Sequence, residues 1–447
     1  MASDDRRFPE DADRDRIVSA TFERYRRHIN PGLARLYQFS GLATVEWAAE
    51  GCLVWDVHGR EYIDCACGPA VFNVGHRHPR VLAAVRDQLD RMPMSVRSMP
   101  SAPQAELAER LAEVSPGDLQ YAFFCNSGAE AVEGALKLAR LATGRPNFVA
   151  MRGAFHGKTL GALSATGREY YRKPFEPLVP GFTHVPFGDA AALDAAIGPQ
   201  TAAVILEPVQ GEAGVILPPQ GYLREVRAIC DRRGVLLIAD EIQTGLGRTG
   251  RLFCLEHDGV VPDIMTLSKA LGGGVIPIGA FLARPGLWEP FRAQPYLHSS
   301  TFGGNPLACR AALATLSVLV EDALARQAAA QGRYFLERLE DLRRRHADVI
   351  RDVRGVGLMI GVEFIHSDYA LMVSAEAMHR GVITFYTLNN PEVIRIEPPL
   401  TITLGLIDRA VAGIEGAVVE ATRLLSSVQA ASAGASTGAA EGGDGPR

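Results

Sequence analysis

Six short apolar runs, Tyr121–Cys125, Asn147–Met151, Ala202–Leu206, Val235–Asp240, Ile264–Leu267 and Ile278–Ala283, constrain the fold of this chain more than any other feature. Amphipathic helical stretches, among them Ala129–Leu141, Gly221–Arg232 and Pro306–Val320, are interleaved with or follow them. Strands that stay apolar along their length and alternate with helices belong to a mostly parallel sheet covered on both faces, because a helix returns the chain to a parallel neighbour. The expected class is therefore α/β. After Val320 the pattern changes to a helix over Ala323–Arg345 and extended segments at Val356–Phe364, Gly381–Phe385 and Val393–Ile396, which reads as a smaller α+β domain.

A chain of 447 residues exceeds what one hydrophobic core organises, so two units are expected. The division is an N-terminal segment over 16–75 that joins the small domain through a hairpin in Thr44–Asp64, a large domain over 76–315 and the small domain over 316–425. Residues 1–15, charged and poor in large apolar side chains, and 426–447, low-complexity Ala, Gly and Ser, are expected to be disordered.

Composition narrows the partners. Hydrophobic residues make up 47% and charged residues 22%, without an apolar run long enough to span a bilayer or an N-terminal leader pattern, so the cytoplasm is expected and a membrane is not. A formal charge of −5 gives no electrostatic reason to bind nucleic acid. The seven cysteines are scattered without CxxC spacing and read as reduced, mostly buried thiols. Cys65 and Cys67 with His76 and His78 lack the usual zinc-ligand spacing, so no metal is expected.

The chemistry gathers where strands end. Lys269 follows one apolar run and Asp240 closes another. A primary amine that can form a Schiff base, with a carboxylate to keep a pyridine nitrogen protonated, suits pyridoxal phosphate. Asn126-Ser127-Gly128-Ala129-Glu130 offers backbone N–H donors for a phosphate at a helix start, and Ser127 with Glu130 would equally form a plain capping box. Phe155-His156-Gly157 places a flat ring after a further strand, and Glu207-Pro208-Val209-Gln210-Gly211-Glu212 and Asp240-Glu241-Ile242-Gln243 follow two more. Open α/β sheets bind ligands at this rim.

With these residues, and with Phe123-Phe124-Cys125-Asn126-Ser127-Gly128, Gly153-Ala154-Phe155-His156-Gly157-Lys158, Pro186-Phe187-Gly188 and Ile394-Arg395-Ile396-Glu397-Pro398-Pro399-Leu400-Thr401, the chain resembles the class III (ω-type) aminotransferases of fold type I over roughly Thr44 to Leu424. Its wording is most similar to that of putrescine aminotransferases. The resemblance implies a large domain with a mostly parallel seven-stranded sheet plus a smaller α+β domain, and pyridoxal 5′-phosphate as cofactor. It implies Lys269 as the Schiff-base lysine, Asp240 against the pyridinium nitrogen, Gln243 on the ring hydroxyl, Phe155 and Ile242 sandwiching the ring with His156 alongside, and Ser127, Gly128 and Ala129 on the phosphate. Thr301 would reach the phosphate from a second subunit, making the enzyme a homodimer or a tetramer built from dimers.

Arg395 can grip a substrate carboxylate in a bidentate fork, and Glu212 can neutralise it when the substrate has none. Glu207 and Arg97 complete the substrate-binding candidates. The expected activity is ping-pong transfer of an amino group from an ω-amine or amino acid, putrescine- or ornithine-like, to a keto acid such as 2-oxoglutarate or pyruvate. Elimination, racemisation or carbon–carbon bond formation by the same carbanion remains the alternative. Two departures touch the substrate side: Pro69 stands where relatives acting on ω-amines commonly carry an aromatic, and Arg97 among Met92, Met94 and Met99 stands where polar uncharged groups are usual.

Overall fold

The computed structural model describes residues 8–39 and 43–438. Three strands near the N-terminus, β1 (Glu46–Glu50), β2 (Leu53–Asp56) and β3 (Glu61–Asp64), form an antiparallel meander where a hairpin is predicted. The large sheet is built from β4 (Tyr121–Cys125), β5 (Asn147–Met151), β6 (Phe182–Val185), β7 (Thr201–Leu206), β8 (Leu236–Asp240), β9 (Ile264–Leu267) and β10 (Gly279–Ala283). Then come β11 (Ile350–Val356), β12 (Met359–Phe364), β13 (Val382–Ile383), β14 (Phe385–Tyr386) and β15 (Val393–Ile396).

The seven strands lie in the order β4-β10-β9-β8-β7-β5-β6. Only β10 runs against its neighbours β4 and β9, so the sheet is mostly parallel, as predicted. Because successive side chains point to opposite faces, β5 and β7 feed two cores at once. Val149, Met151, Val204 and Leu206 pack under the helix Tyr222–Arg233, while Phe148, Ala150, Ala203 and Ile205 pack under the helix Gly128–Thr143. This is why these strands show no alternation of apolar and polar residues.

The sequence reading is corrected at four places. Val356–Phe364, predicted as one strand, is the turn and second arm of the hairpin β11–β12. The run 381–385 is split between two sheets, because β13 pairs in parallel with β3 whereas β14 pairs with β15. Residues 11–15, predicted to be disordered, open the helix Asp11–Arg24, where Arg14–Asp11 and Arg16–Asp13 pairs, each at 2.7 Å, support the first turns. Residues 426–438, predicted to be disordered, continue the helix Leu404–Gly438. Residues 1–7 and 439–447 lie outside the described residues.

Two contacts tie the small sheet β11-β12-β15-β14 to its neighbours, one to the segment after β3 and one to the loop after β8. Glu397 N–H, just after β15, donates to the Cys65 carbonyl at 2.7 Å. The fully buried Arg248 guanidinium donates to Asn73 Oδ1 at 2.7 Å and to the carbonyls of Leu358 and Pro398 at 2.9 and 2.6 Å. All seven cysteines are buried and unbridged.

Candidate active site

The lysine sits in a conformation few lysines adopt. Lys269 has φ +44°, in the left-handed region that costs a non-glycine residue roughly 1–3 kcal/mol. The turn is fixed from the side by Ser268 Oγ, which donates to the Ile278 carbonyl at 2.8 Å. Lys269 Nζ donates to Gln243 Oε1 at 2.9 Å. Burial first, and the Arg395 charge second, push this amine below the usual lysine range, against the opposing pull of Glu397, Glu212 and Glu207.

At the end of β8, Asp240 is buried and fully engaged. Its Oδ2 meets His156 Nδ1 at 2.7 Å, while Oδ1 accepts from Thr266 Oγ1 at 3.1 Å and from Ile242 N–H at 3.2 Å. The His156 ring is itself buried, and its Nε2 has no partner among the described residues. Ser127 caps the helix Gly128–Thr143, accepting from Glu130 N–H at 3.2 Å, while Glu130 Oε2 accepts from Asn126 N–H at 2.6 Å. The helix start thus carries its own cap and still presents N–H groups at a partly open surface.

Close approach holds the loops together. A Cβ on Gly128 would stand 2.8 Å from Ile242 Cδ1, and one on Gly211 would stand 2.5 Å from Gln243 Oε1. Glu207, at the end of β7, staples two of these loops: Oε1 accepts from Phe155 N–H at 2.8 Å and Oε2 from Gly211 N–H at 3.1 Å. Burial, with Asp240 adding to it, pushes the Glu207 carboxyl up to about 7 despite the opposing His156 and backbone donors.

The arginine side is a buried ion cluster. Arg395 Nη1 donates to Glu212 Oε1 at 2.7 Å, and Arg395 Nε lies 2.9 Å from Glu397 Oε2. Glu212 Oε2 also accepts from Leu388 N–H at 2.9 Å. Burial would raise the Glu212 carboxyl, but Arg395 and the Leu388 donor outweigh it and hold it below the usual range. Gln243 Nε2 completes the chain, 3.0 Å from each oxygen of Glu397.

Lys269, Asp240, Gln243, His156, Phe155, Glu207, Glu212 and Arg395 are therefore brought together, with Ile242 against Gly128 beside Ser127 and Ala129. Two predicted residues stand elsewhere. Thr301 is exposed and lines a cleft with Asn126, Glu130 and Ser300. Arg97, itself at φ +64°, donates from Nη1 to the Gly303 carbonyl at 2.9 Å. Sequence reasoning missed Glu397 as a member of the site. The available signal was spacing: Arg395 and Glu397 are two apart at the end of a strand, so both side chains point the same way.

An amine, a buried acid, an open helix N-terminus and a buried imidazole nitrogen without a partner, all at the carboxyl rim of a mostly parallel sheet, fit pyridoxal 5′-phosphate. Fold and site define a pyridoxal phosphate-dependent transferase. The profile of the family Aminotransferase class-III matches residues 41–418, and the chain belongs to that family. An ornithine aminotransferase from Toxoplasma gondii, whose active site holds pyridoxal phosphate at partial occupancy, superposes with a TM-score of 0.83 at 34% identity, over 91% of this chain and 95% of that one. An (S)-enantioselective ω-transaminase from Thermomicrobium roseum gives 0.83 at 32% identity, over 91% and 98%. A transaminase from the marine bacterium Virgibacillus gives 0.86 at 28% identity, over 91% and 100%. The chemistry is amino transfer between an amine or amino acid and a keto acid, not the alternative carbanion reactions. Among the described residues no helix is long and apolar enough to cross a membrane.

Proposed function

We propose that this aminotransferase takes its amino group from a putrescine- or ornithine-like donor and passes it to a keto acid such as 2-oxoglutarate or pyruvate. The observation that carries the reading is the Arg395–Glu212 pair at 2.7 Å, which leaves the arginine neutralised when no carboxylate is bound. A donor lacking a carboxylate enters with the pair closed. A keto acid takes the guanidinium in place of Glu212, in a bidentate fork. The ornithine aminotransferase of Toxoplasma gondii and the ω-transaminase of Thermomicrobium roseum supply the two donor classes by analogy.

In this reading Lys269 holds the cofactor and then moves a proton from the donor carbon. Burial and the Arg395 charge, which lower its basicity, favour the neutral amine that this step needs. Asp240, fixed by His156 and Thr266, would keep the ring nitrogen protonated. Ser127, Gly128 and Ala129 would receive the phosphate, Phe155 and Ile242 would flank the ring, and Gln243 would meet its hydroxyl. The cofactor, when bound, supplies the electron sink for charge developing at the donor carbon.

A homodimer belongs to the same reading. The segments carrying Arg97 and Gly303 touch, and both expose large apolar side chains, among them Met94, Val96, Met99 and Phe302, of the kind that interfaces cover. Thr301, exposed beside Phe302, would serve a partner's phosphate site. A cytoplasmic location fits small metabolites as substrates.

The test is to mix the holoenzyme separately with putrescine, ornithine and other amino acids and follow the visible absorbance of the lysine-bound cofactor. A donor that bleaches the band, with 2-oxoglutarate or pyruvate restoring it, establishes the donor and acceptor. Other amino acids bleaching it while putrescine and ornithine both leave it intact would overturn the donor assignment.

A further inference from the structure

Two carboxylates hold Arg395, and they differ in how easily they can leave. Glu212 sits on a loop after β7, joined to Arg395 and to the Leu388 N–H. Glu397 is fully buried, at 0% exposure, and its own backbone N–H is bound to Cys65. Glu212 stands on a loop and keeps a little exposure, whereas Glu397 is sealed and also holds Gln243 with both oxygens, so Glu212 is the one placed to give way.

We propose that Glu397 is a positioning residue that keeps Arg395 partly neutralised even when Glu212 has given way, so that the site grips carboxylates weakly and favours donors that lack one. This inference rests on Arg395 being the carboxylate-binding group. When Glu212 withdraws, the Nε edge of the guanidinium is still occupied at 2.9 Å. The incoming carboxylate then meets an arginine whose charge is shared, and it approaches a second anion across the same group. In a buried site such a charge acts at close range and with little screening.

Glu397 also reaches the amine. By taking Gln243 Nε2 it turns the amide so that Oε1 faces Lys269 Nζ. Arginine, glutamate, glutamine and lysine thus form one line of contacts. Removing the Glu397 charge takes away the first of the carboxylates that oppose burial and Arg395 at Lys269, so proton loss at the lysine nitrogen moves to lower pH.

The experiment compares the holoenzyme with Glu397→Gln, using glutarate as a dicarboxylate that cannot react. Calorimetry is expected to show glutarate binding about tenfold tighter in the variant, a change of about 1.4 kcal/mol. The pH midpoint of the visible band of the lysine-bound cofactor is expected to fall. Unchanged or weaker glutarate binding, with melting temperature and cofactor content as in the parent, would overturn the proposal; a midpoint that stays in place would overturn its lysine arm. If Glu397→Gln does not fold, Glu397→Asp, which withdraws the charge by one methylene, is expected to tighten glutarate a few-fold, and no tightening is the overturning result. Arg395→Ala separates the two failures. Glutarate affinity indifferent to that change removes the Arg395 reading itself, whereas a loss there with no effect at Glu397 removes only the role given to Glu397.

Discussion

The lysine side of the site and its arginine side are assembled over different distances in the chain. Asp240 closes β8 and Ile242 and Gln243 follow it, Lys269 follows β9, and Ser127 and Phe155 follow β4 and β5, so each is placed by its own strand. Arg395 and Glu397 come from the small sheet, and they meet Glu212 and Gln243 from the large domain across 183 and 154 residues. A group at a strand end inherits its position from the sheet. A group in the ion cluster has a position only if both domains dock, and its buried charges penalise any docking that leaves one of them unpaired.

Breaking each side in turn sharpens the contrast, starting from the largest expected effect. Lys269→Ala should abolish the visible band and lower kcat by about 10⁴-fold or more, with the circular dichroism of the parent retained, because the sheet does not depend on that side chain. An intact band would remove the lysine from its place. Arg395→Ala should strand Glu212 and Glu397 without their cation. The expected result is a KM for the keto acid raised by about 100-fold and a stability loss of about 3–5 kcal/mol in denaturant melts. The KM for a diamine should move far less, and equal changes in both would contradict the division of labour.

Glu207 gives a smaller, pH-dependent signal. Its folded carboxyl titrates at about 7 against an ordinary 4.5, so its contribution to stability is complete below the unfolded value and is lost as pH rises through 7. Glu241, also raised to about 7 by burial, adds in the same sense. Apoprotein stability in denaturant melts should therefore fall between about pH 5 and pH 7, by at most about 1.4 kcal/mol per pH unit for each group, and level off by about pH 8; a flat profile from pH 5 to pH 7 would contradict both assignments. Smallest of all, Arg97→Gln should change kcat/KM for a diamine by less than about twofold, because the guanidinium is spent on the Gly303 carbonyl. A gain of tenfold would show instead that its charge faces the entrance.

Arg97 also illustrates where reading the sequence stops. Residue type alone could not choose between a charge at the entrance and one turned onto a neighbouring loop, and the choice was made by the segment 299–304 folding beside it. The same holds for Gly381–Phe385, which reads as one extended run yet is divided between two sheets by pairing partners far away in the chain. By contrast β4, β5, β9 and β15 have the predicted bounds, since an apolar run closed by polar or glycine residues is a local signal.

The sequence by itself determined the α/β alternation and the residues that stand at strand ends, Lys269, Asp240, Gln243, Ser127 and Phe155 among them, because strand length and side-chain period are local properties of the backbone. Only the tertiary structure decided that Glu397 would lie between Gln243 and Arg395, that Glu207 would staple the Phe155 and Gly211 loops, and that Arg97 would turn onto Gly303. A buried charge or amide must find its partner wherever the packed domains bring one, and that requirement leaves no mark on neighbouring residues in the sequence.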